Sequence, residues 1–289
     1  MKKIIFIPIL YMLILFNVFA QTEGEDKITI SANYFLSSVN FSIKEIASGS
    51  ILTWRDIYLQ GGYLSVEFPQ NSGVFDKSSI SASFSTSFHG YWTDDDANNT
   101  ANVISVSTTE AFLLELKYET IANKSIFNPK LGFDFNMLSL KNYGGRFFSG
   151  RIINNYTNIE GLACGYDIYK IGIFGGIQAA LNTKFFYLEA CGHIGIGIYL
   201  NIANWLNNPT FKSPVSFLNF GHSFRGGSDF EIGLKLDEIT FFLKALFVFD
   251  INPGLGVSLQ NQSDDTMPVQ LHYSNLSRAS FSAGLKISF

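Results

Sequence analysis

Four groupings in this sequence hold side chains able to move protons or grip cations. Asp94, Asp95 and Asp96 run consecutively, with Asn98 and Asn99 just beyond. Asp94 and Asp96 are the pair that could share a proton or hold a cation. A calcium loop needs spaced ligands and a turn glycine, which this run lacks, so a solvated loop is the expectation. Glu189, Cys191 and His193 alternate, so on a strand they share one face. They could bind a metal or relay protons; an interior polar network without metal or cofactor is the expectation. His89 and His222 could each serve beside Asp94 as a displaced acid/base pair. His272 near Asp264 and Asp265 is a weaker group of the same kind.

The elements that must position these residues alternate with period two. Between positions 79 and 88, Ile80, Ala82, Phe84, Thr86 and Phe88 interleave with Ser79, Ser81, Ser83, Ser85 and Ser87. Further on, Phe112, Leu114, Leu116 and Tyr118 oppose Glu115, Lys117 and Glu119. Near the end, Ala279, Phe281, Ala283, Leu285, Ile287 and Phe289 oppose Arg278, Ser280, Ser282, Gly284, Lys286 and Ser288. Successive strand side chains point to opposite faces, so each run has one apolar and one polar side. Sandwich strands run about 5–6 residues. Strands that cross a bilayer need about 9–11 and put apolar residues outward, polar residues inward. The long runs here match the second case.

Ten strands are expected, over 27–46, 51–68, 78–92, 103–120, 128–142, 162–181, 185–203, 229–236, 240–251 and 269–289. Connections at 69–77, 121–127, 182–184 and 237–239 are short. Those at 93–102, 143–161, 204–228 and 252–268 are long, which assigns periplasmic and extracellular ends. The fold class is therefore all-β, a single ten-stranded antiparallel transmembrane β-barrel. Interiors near eight strands are filled by side chains, and open channels belong to about 16–18. Glu115, Lys117, Asp134, Asn136, Glu189, His193, Lys244 and Arg278 fall on the inward face. Their mixed signs predict a plugging network rather than a selective pore.

Composition narrows the rest. The chain has 289 residues, 29 of them Phe and 13 Tyr, with 15% charged residues and a net charge of -4. Such aromatic content excludes disorder, and the acidic balance argues against a nucleic-acid partner. Met1-Lys2-Lys3, an apolar run to Val18 and a small residue at Ala20 read as a signal peptide over 1–20, cleaved near Ala20. The barrel would then occupy 21–289. Cys164 and Cys191 are the two cysteines. Hairpin pairing sets Cys191 opposite about Phe174, far from Cys164, so two free thiols are expected. The stretch 204–228 carries Trp205, Phe211, Phe217, Phe220 and Phe224. Those aromatics suit a partner site, a lid or an interfacial girdle.

Several segments resemble the omptins, ten-stranded outer-membrane endoproteases of aspartyl type. Ser50–Arg55 (SILTWR) resembles the omptin Ser-x-Leu-x-Trp-Lys/Arg pattern of the second strand. Tyr91-Trp92-Thr93-Asp94 resembles the second outer loop, and Gly165-Tyr166 with Ile171-Gly172-Ile173 the sixth strand. Ser282 to Phe289 is similar to the omptin ending. The resemblance implies the fold, but the catalytic positions depart from it. Where omptins place an Asp-x-Asp pair before the loop Trp, this chain has His89 and Tyr91. No Asp-x-His dyad stands in 204–228, where His222 is the one histidine. Strands ending in an aromatic residue also resemble substrates of the barrel-insertion machinery, which makes Phe289 the expected insertion signal.

These readings predict a bacterial outer-membrane surface barrel that does not cleave peptides and that serves a structural, ligand-binding or adhesive role through its extracellular loops. The alternatives are an omptin-like endopeptidase with a rearranged site built from Asp94, Asp96, His89 or His222, and a narrow transport pore. Expected partners are outer-membrane lipid, lipopolysaccharide as a candidate among it, the insertion machinery and an extracellular ligand.

Overall fold

The computed structural model describes residues 27–45, 51–70, 75–95, 102–122, 126–149, 156–205, 215–252, 257–261 and 272–289. The segment read as a signal peptide lies outside the described residues. Thirteen strands are described. Ten form the wall: β1 (Thr29–Glu45), β2 (Ile51–Pro69), β3 (Lys77–Asp95), β4 (Asn102–Ile121), β5 (Phe127–Tyr143), β8 (Leu162–Asn182), β9 (Phe186–Trp205), β10 (Val215–Leu236), β11 (Ile239–Asn252) and β13 (His272–Ser288). Three short ones extend the outer end: β6 (Arg146–Ser149), β7 (Tyr156–Asn158) and β12 (Val257–Asn261).

Every wall strand pairs antiparallel with its sequence neighbour in the wall, and β13 returns to β1. That last ladder runs from Thr29 opposite Ser288 to Glu45 opposite His272. The sheet is closed, so no wall strand leaves a row of unpaired amides. In hydrocarbon that closure is what allows strands to cross at all.

The outer surface is apolar on every wall strand. Leu36, Phe84, Phe133, Ile196, Phe230 and Phe281 are all exposed. The intervening residues face the lumen; along β13, Arg278 and Ser280 are buried while Ala279 and Phe281 are exposed. The short connections between β2 and β3, β4 and β5, β8 and β9, and β10 and β11 share one end with Thr29 and Ser288. That is the periplasmic end of an outer-membrane barrel.

Among the departures from the sequence expectation, two reshape the wall. β10 begins at Val215 rather than near 229, so residues 215–228 are wall and not outer loop. Within it, Gly226 and Gly227 make room for rings. A Cβ on Gly226 would lie 2.2 Å from Phe249 Cζ, and one on Gly227 would lie 2.6 Å from His193 Cε1. The stretch read as a loop at 252–268 also holds β12, which pairs with β10 from Ser216 to Phe220.

The second departure is a bulge in β2. Val39 faces Ile57, but Phe41 faces Trp54, so an extra residue of β2 bulges out between those pairs. Asp56 takes φ 53° there, and its amide donates to Asn40 Oδ1 at 3.1 Å. A bulge shifts the in/out phase of its strand. Trp54 points inward before it, and Ile57 and Leu59 point inward after it; all three are fully buried.

Candidate functional site in the barrel lumen

Three layers fill the lumen. The outermost is apolar along β1, β2, β4, β5 and β8, where Val39, Phe41, Trp54, Leu113, Leu140 and Ile168 form one buried cluster. Trp54 is its hub, 5.2 Å from Phe41 and 4.8 Å edge-on from Tyr166, ring centre to ring centre. Its Nε1 donates to Asn142 Oδ1 at 2.9 Å, and Thr109 Oγ1 donates to the same oxygen. Asn142 Nδ2 in turn donates to Cys164 Sγ at 3.1 Å. On the facing wall, Asn201, Asn219, Ser223 and Asn252 are buried.

The middle layer is ionic. Arg278 Nη1 donates to Glu115 Oε2 at 2.6 Å. Arg225 bridges Asp134 and Asp250, with Nη2 3.0 Å from Asp250 Oδ2. Lys170 reaches the same Asp250 oxygen at 2.9 Å. The Asn136 amide, turned to suit its neighbours, accepts from Arg225 at 3.0 Å and donates to Glu115 Oε1 at 2.9 Å, which joins both groups. Buried ions are tolerated where each is paired and hydrogen-bonded, and this layer meets that condition.

Below it lies a polar cavity of about 430 Å³ that runs toward the periplasmic end. Serines of β3 and β13 line it, among them Ser79, Ser81, Ser83, Ser280 and Ser282. Lys130 and Lys117 flank Glu119 at 3.2 and 2.6 Å. Lys244 stands 3.2 Å from Asp229 and 3.7 Å from Glu231. Lys286 also pairs with Glu231, whose other contact is the Tyr187 hydroxyl.

Glu115, Lys117, Asp134, Glu189, His193, Lys244 and Arg278 all line this cavity. Sequence reading missed Arg225, Asp229 and Asp250, which carry much of the ionic structure. Arg225 was hidden by the loop assignment of 204–228. Asp229 and Asp250 carry the right strand parity, and that signal could have found them.

The rim candidates are not brought together among the described residues. His222 lies within β10, opposite Ile198, with its side chain exposed on the outward face between Phe220 and Phe224. It is therefore not an outer-loop histidine, because the strand begins seven residues earlier. The backbone of Asp94 pairs with Leu52 and Ile104 in the wall, so it too is strand rather than loop. The side chains of His89, Asp94 and His272, and all of Asp96, lie outside the described residues. So do those of Trp205, Phe211 and Phe217. Phe220 and Phe224 are exposed on the outer face, as an interfacial girdle requires.

Neither cysteine is in a disulfide, as expected. Cys191 faces Gln178 rather than Phe174, because the pairing closes at Asn182 opposite Tyr187 and leaves a wider turn than expected. Cys164 faces Trp205, far along the same ladder. Phe289 is exposed, in line with the outward residues of β13, and its amide donates to Ile28 O at 3.0 Å.

No family model matches the chain, and no curated protein does. Among solved structures it is similar to the outer membrane protease OmpT from Escherichia coli, at TM-score 0.68 and 14% identity over 93% of this chain and 99% of that one. The transport unit of the autotransporter AIDA-I from Escherichia coli matches at TM-score 0.41 and 9% identity, covering 93% and 92% of the two chains. The β domain of the Bordetella autotransporter BrkA matches at 0.39 and 6%, covering 90% and 100%. The chain thus folds as an omptin-like, ten-stranded barrel of the outer-membrane type, and the outer membrane is where such a barrel resides.

Proposed function

We propose that this chain is a sealed surface barrel whose wall serves as a scaffold for its outer connections, through which it binds an extracellular ligand or surface. The observation that carries this reading is the filled lumen. An apolar layer around Trp54 and an ionic layer around Arg225 lie in series above the periplasmic cavity. Bulk water and ions have no ready route through such packing.

A protease reading has one observation in its favour, the fold shared with OmpT. A fold does not fix an activity. Acid/base hydrolysis needs groups converging on one water, and His222 turns away from the lumen.

Two measurements on the refolded chain test the proposal. In planar bilayers it is expected to stay silent, and with a mixed peptide library mass spectrometry is expected to find no defined cleavage. Steady conductance, or cleavage lost in Asp94→Ala or His222→Ala, would overturn it. Shortening the connection at 253–271 is expected to remove ligand capture by cells displaying the barrel, while heat-modifiable folding persists.

A further inference from the structure

Cys191, His193 and Asp229 stand together on the lumen wall, and none of the three belongs to the ionic layer above. Cys191 and Asp229 are directly opposed between β9 and β10. His193 is two residues along β9 on the same face. One ligand atom from each lies within 4.8 Å of the other two. All three line the periplasmic cavity.

The wall around His193 is shaped to hold the ring. Gly227 and Gly176 oppose it on the two neighbouring strands. A Cβ on Gly227 would lie 2.7 Å from Nε2, and one on Gly176 would lie 2.9 Å from the His193 Cβ. Phe174 closes another side at 5.7 Å, ring centre to ring centre. His193 Nδ1 is buried and has no hydrogen-bond partner. A buried polar atom left unmatched is unfavourable, and a cation is one partner that would satisfy an imidazole nitrogen.

The geometry points to a binding site for a borderline-soft divalent cation of the Zn²⁺ class, held by Cys191, His193 and Asp229 and loaded through the periplasmic cavity. One thiolate, one imidazole and one carboxylate suit such an ion better than they suit Ca²⁺ or Mg²⁺, which take oxygen ligands. Tetrahedral ligands around zinc sit about 3.3–3.8 Å apart, given bonds of about 2.0–2.3 Å. The cluster therefore needs to contract by roughly 1 Å, which side-chain rotation supplies. Three protein ligands leave a fourth position for water, which the adjoining cavity can supply.

Three lysines occupy the neighbourhood, and each has another partner; Lys117 pairs with Glu119 at 2.6 Å. Lys244 can leave Asp229 for Glu231, already 3.7 Å away. Lys130 lies against the Cys191 thiol but also pairs with Glu119 at 3.2 Å. Loading the ion thus strands none of the three ammonium groups. The thiol proton departs as the cation binds, so thiolate and carboxylate together balance its charge.

The test uses the full chain refolded in detergent, with Zn²⁺ alone as probe. Titration calorimetry against a competing chelator is expected to give one ion per barrel. Affinity is expected to fall more than about tenfold in Cys191→Ser, His193→Gln and Asp229→Asn, and to hold in Cys164→Ser. Co²⁺ is expected to give a thiolate charge-transfer band that Cys191→Ser removes. A measurement on the unaltered chain covers variants that fail to fold: Zn²⁺ should shield Cys191 from alkylation, read by peptide mapping. Absence of stoichiometric binding, binding that survives Cys191→Ser, or no shielding of Cys191 overturns the proposal.

Discussion

Arg278 on β13 and Glu115 on β4 meet across the lumen, with Nη1 2.6 Å from Oε2. Neither strand is a neighbour of the other in the wall. The pair therefore acts as a crossbar between opposite sides of the barrel. Ser83 Oγ donates to the same Glu115 oxygen at 2.9 Å, so the carboxylate is held from two strands.

Removing one end of that crossbar leaves a buried charge without its partner. Arg278→Met or Glu115→Gln is expected to lower unfolding stability by about 3–5 kcal/mol. The double variant Arg278→Met with Glu115→Gln is expected to recover part of that loss, because neither charge is then left without its counterpart and the amide oxygen still accepts from Ser83 Oγ. Urea unfolding in detergent, followed by heat-modifiability, measures the cycle. A double variant as damaged as the sum of the two single ones would mean that the pair is not coupled.

The Trp54 hub makes a second prediction. Its ring is fully buried and touches Phe41 and Tyr166. Trp54→Ala is expected to destabilise by about 3–5 kcal/mol through the cavity it leaves. Trp54→Phe keeps much of the packing but removes the donor to Asn142 Oδ1, which still accepts from Thr109. Its loss is expected to be about 1–3 kcal/mol. Equal losses from the two variants in unfolding titrations would show that the hydrogen bond, rather than the ring volume, dominates.

The wall was legible because period two is a strong signal over long runs. Ser79 to Ser85 inside and Ile80 to Thr86 outside need no tertiary information. The lumen was only half legible. Parity assigned Glu115 and Lys117 to the interior, but it could not say that Arg278 would cross the barrel to reach Glu115. The inward turn of Trp54 was hidden for a different reason. The bulge at Asp56 resets parity within β2, and no alternation rule anticipates a bulge. At Gly226 and Gly227 each glycine makes room for a ring supplied by a neighbouring strand, a contact that no pattern within β10 carries.

The bulge itself can be tested. Asp56 sits at φ 53°, a region that β-branched residues strongly resist. Asp56→Val is expected to cost about 1–2 kcal/mol, the usual penalty of that conformation. Asp56→Gly is expected to be nearly neutral, since glycine adopts positive φ freely. Asn40→Ala should lower stability modestly by removing the acceptor for the Asp56 amide. A harmless Asp56→Val would mean that β2 can run straight, and Trp54 would then turn outward; quenching of its fluorescence by brominated lipid would report that.

Gly233 faces Tyr187 across the β9–β10 ladder, and the phenol ring lies over its backbone. A Cβ there would lie 2.0 Å from Tyr187 Cε1. Tyr187 cannot move aside freely, because its hydroxyl donates to Glu231 Oε1 and Lys286 lies 4.6 Å over its ring. Gly233→Ala is therefore expected to destabilise by about 1–3 kcal/mol through overpacking. Combining it with Tyr187→Ala should relieve the clash, so the double variant should be less damaged than the two single losses added together. The same cycle separates two roles of the glycine. If Gly233 served only backbone freedom, removing the tyrosine would not rescue Gly233→Ala, and the two losses would simply add. Rescue would mean that the glycine is there to let the ring lie flat against the wall, which in turn holds the Glu231 carboxylate toward Lys286 at the periplasmic mouth of the cavity.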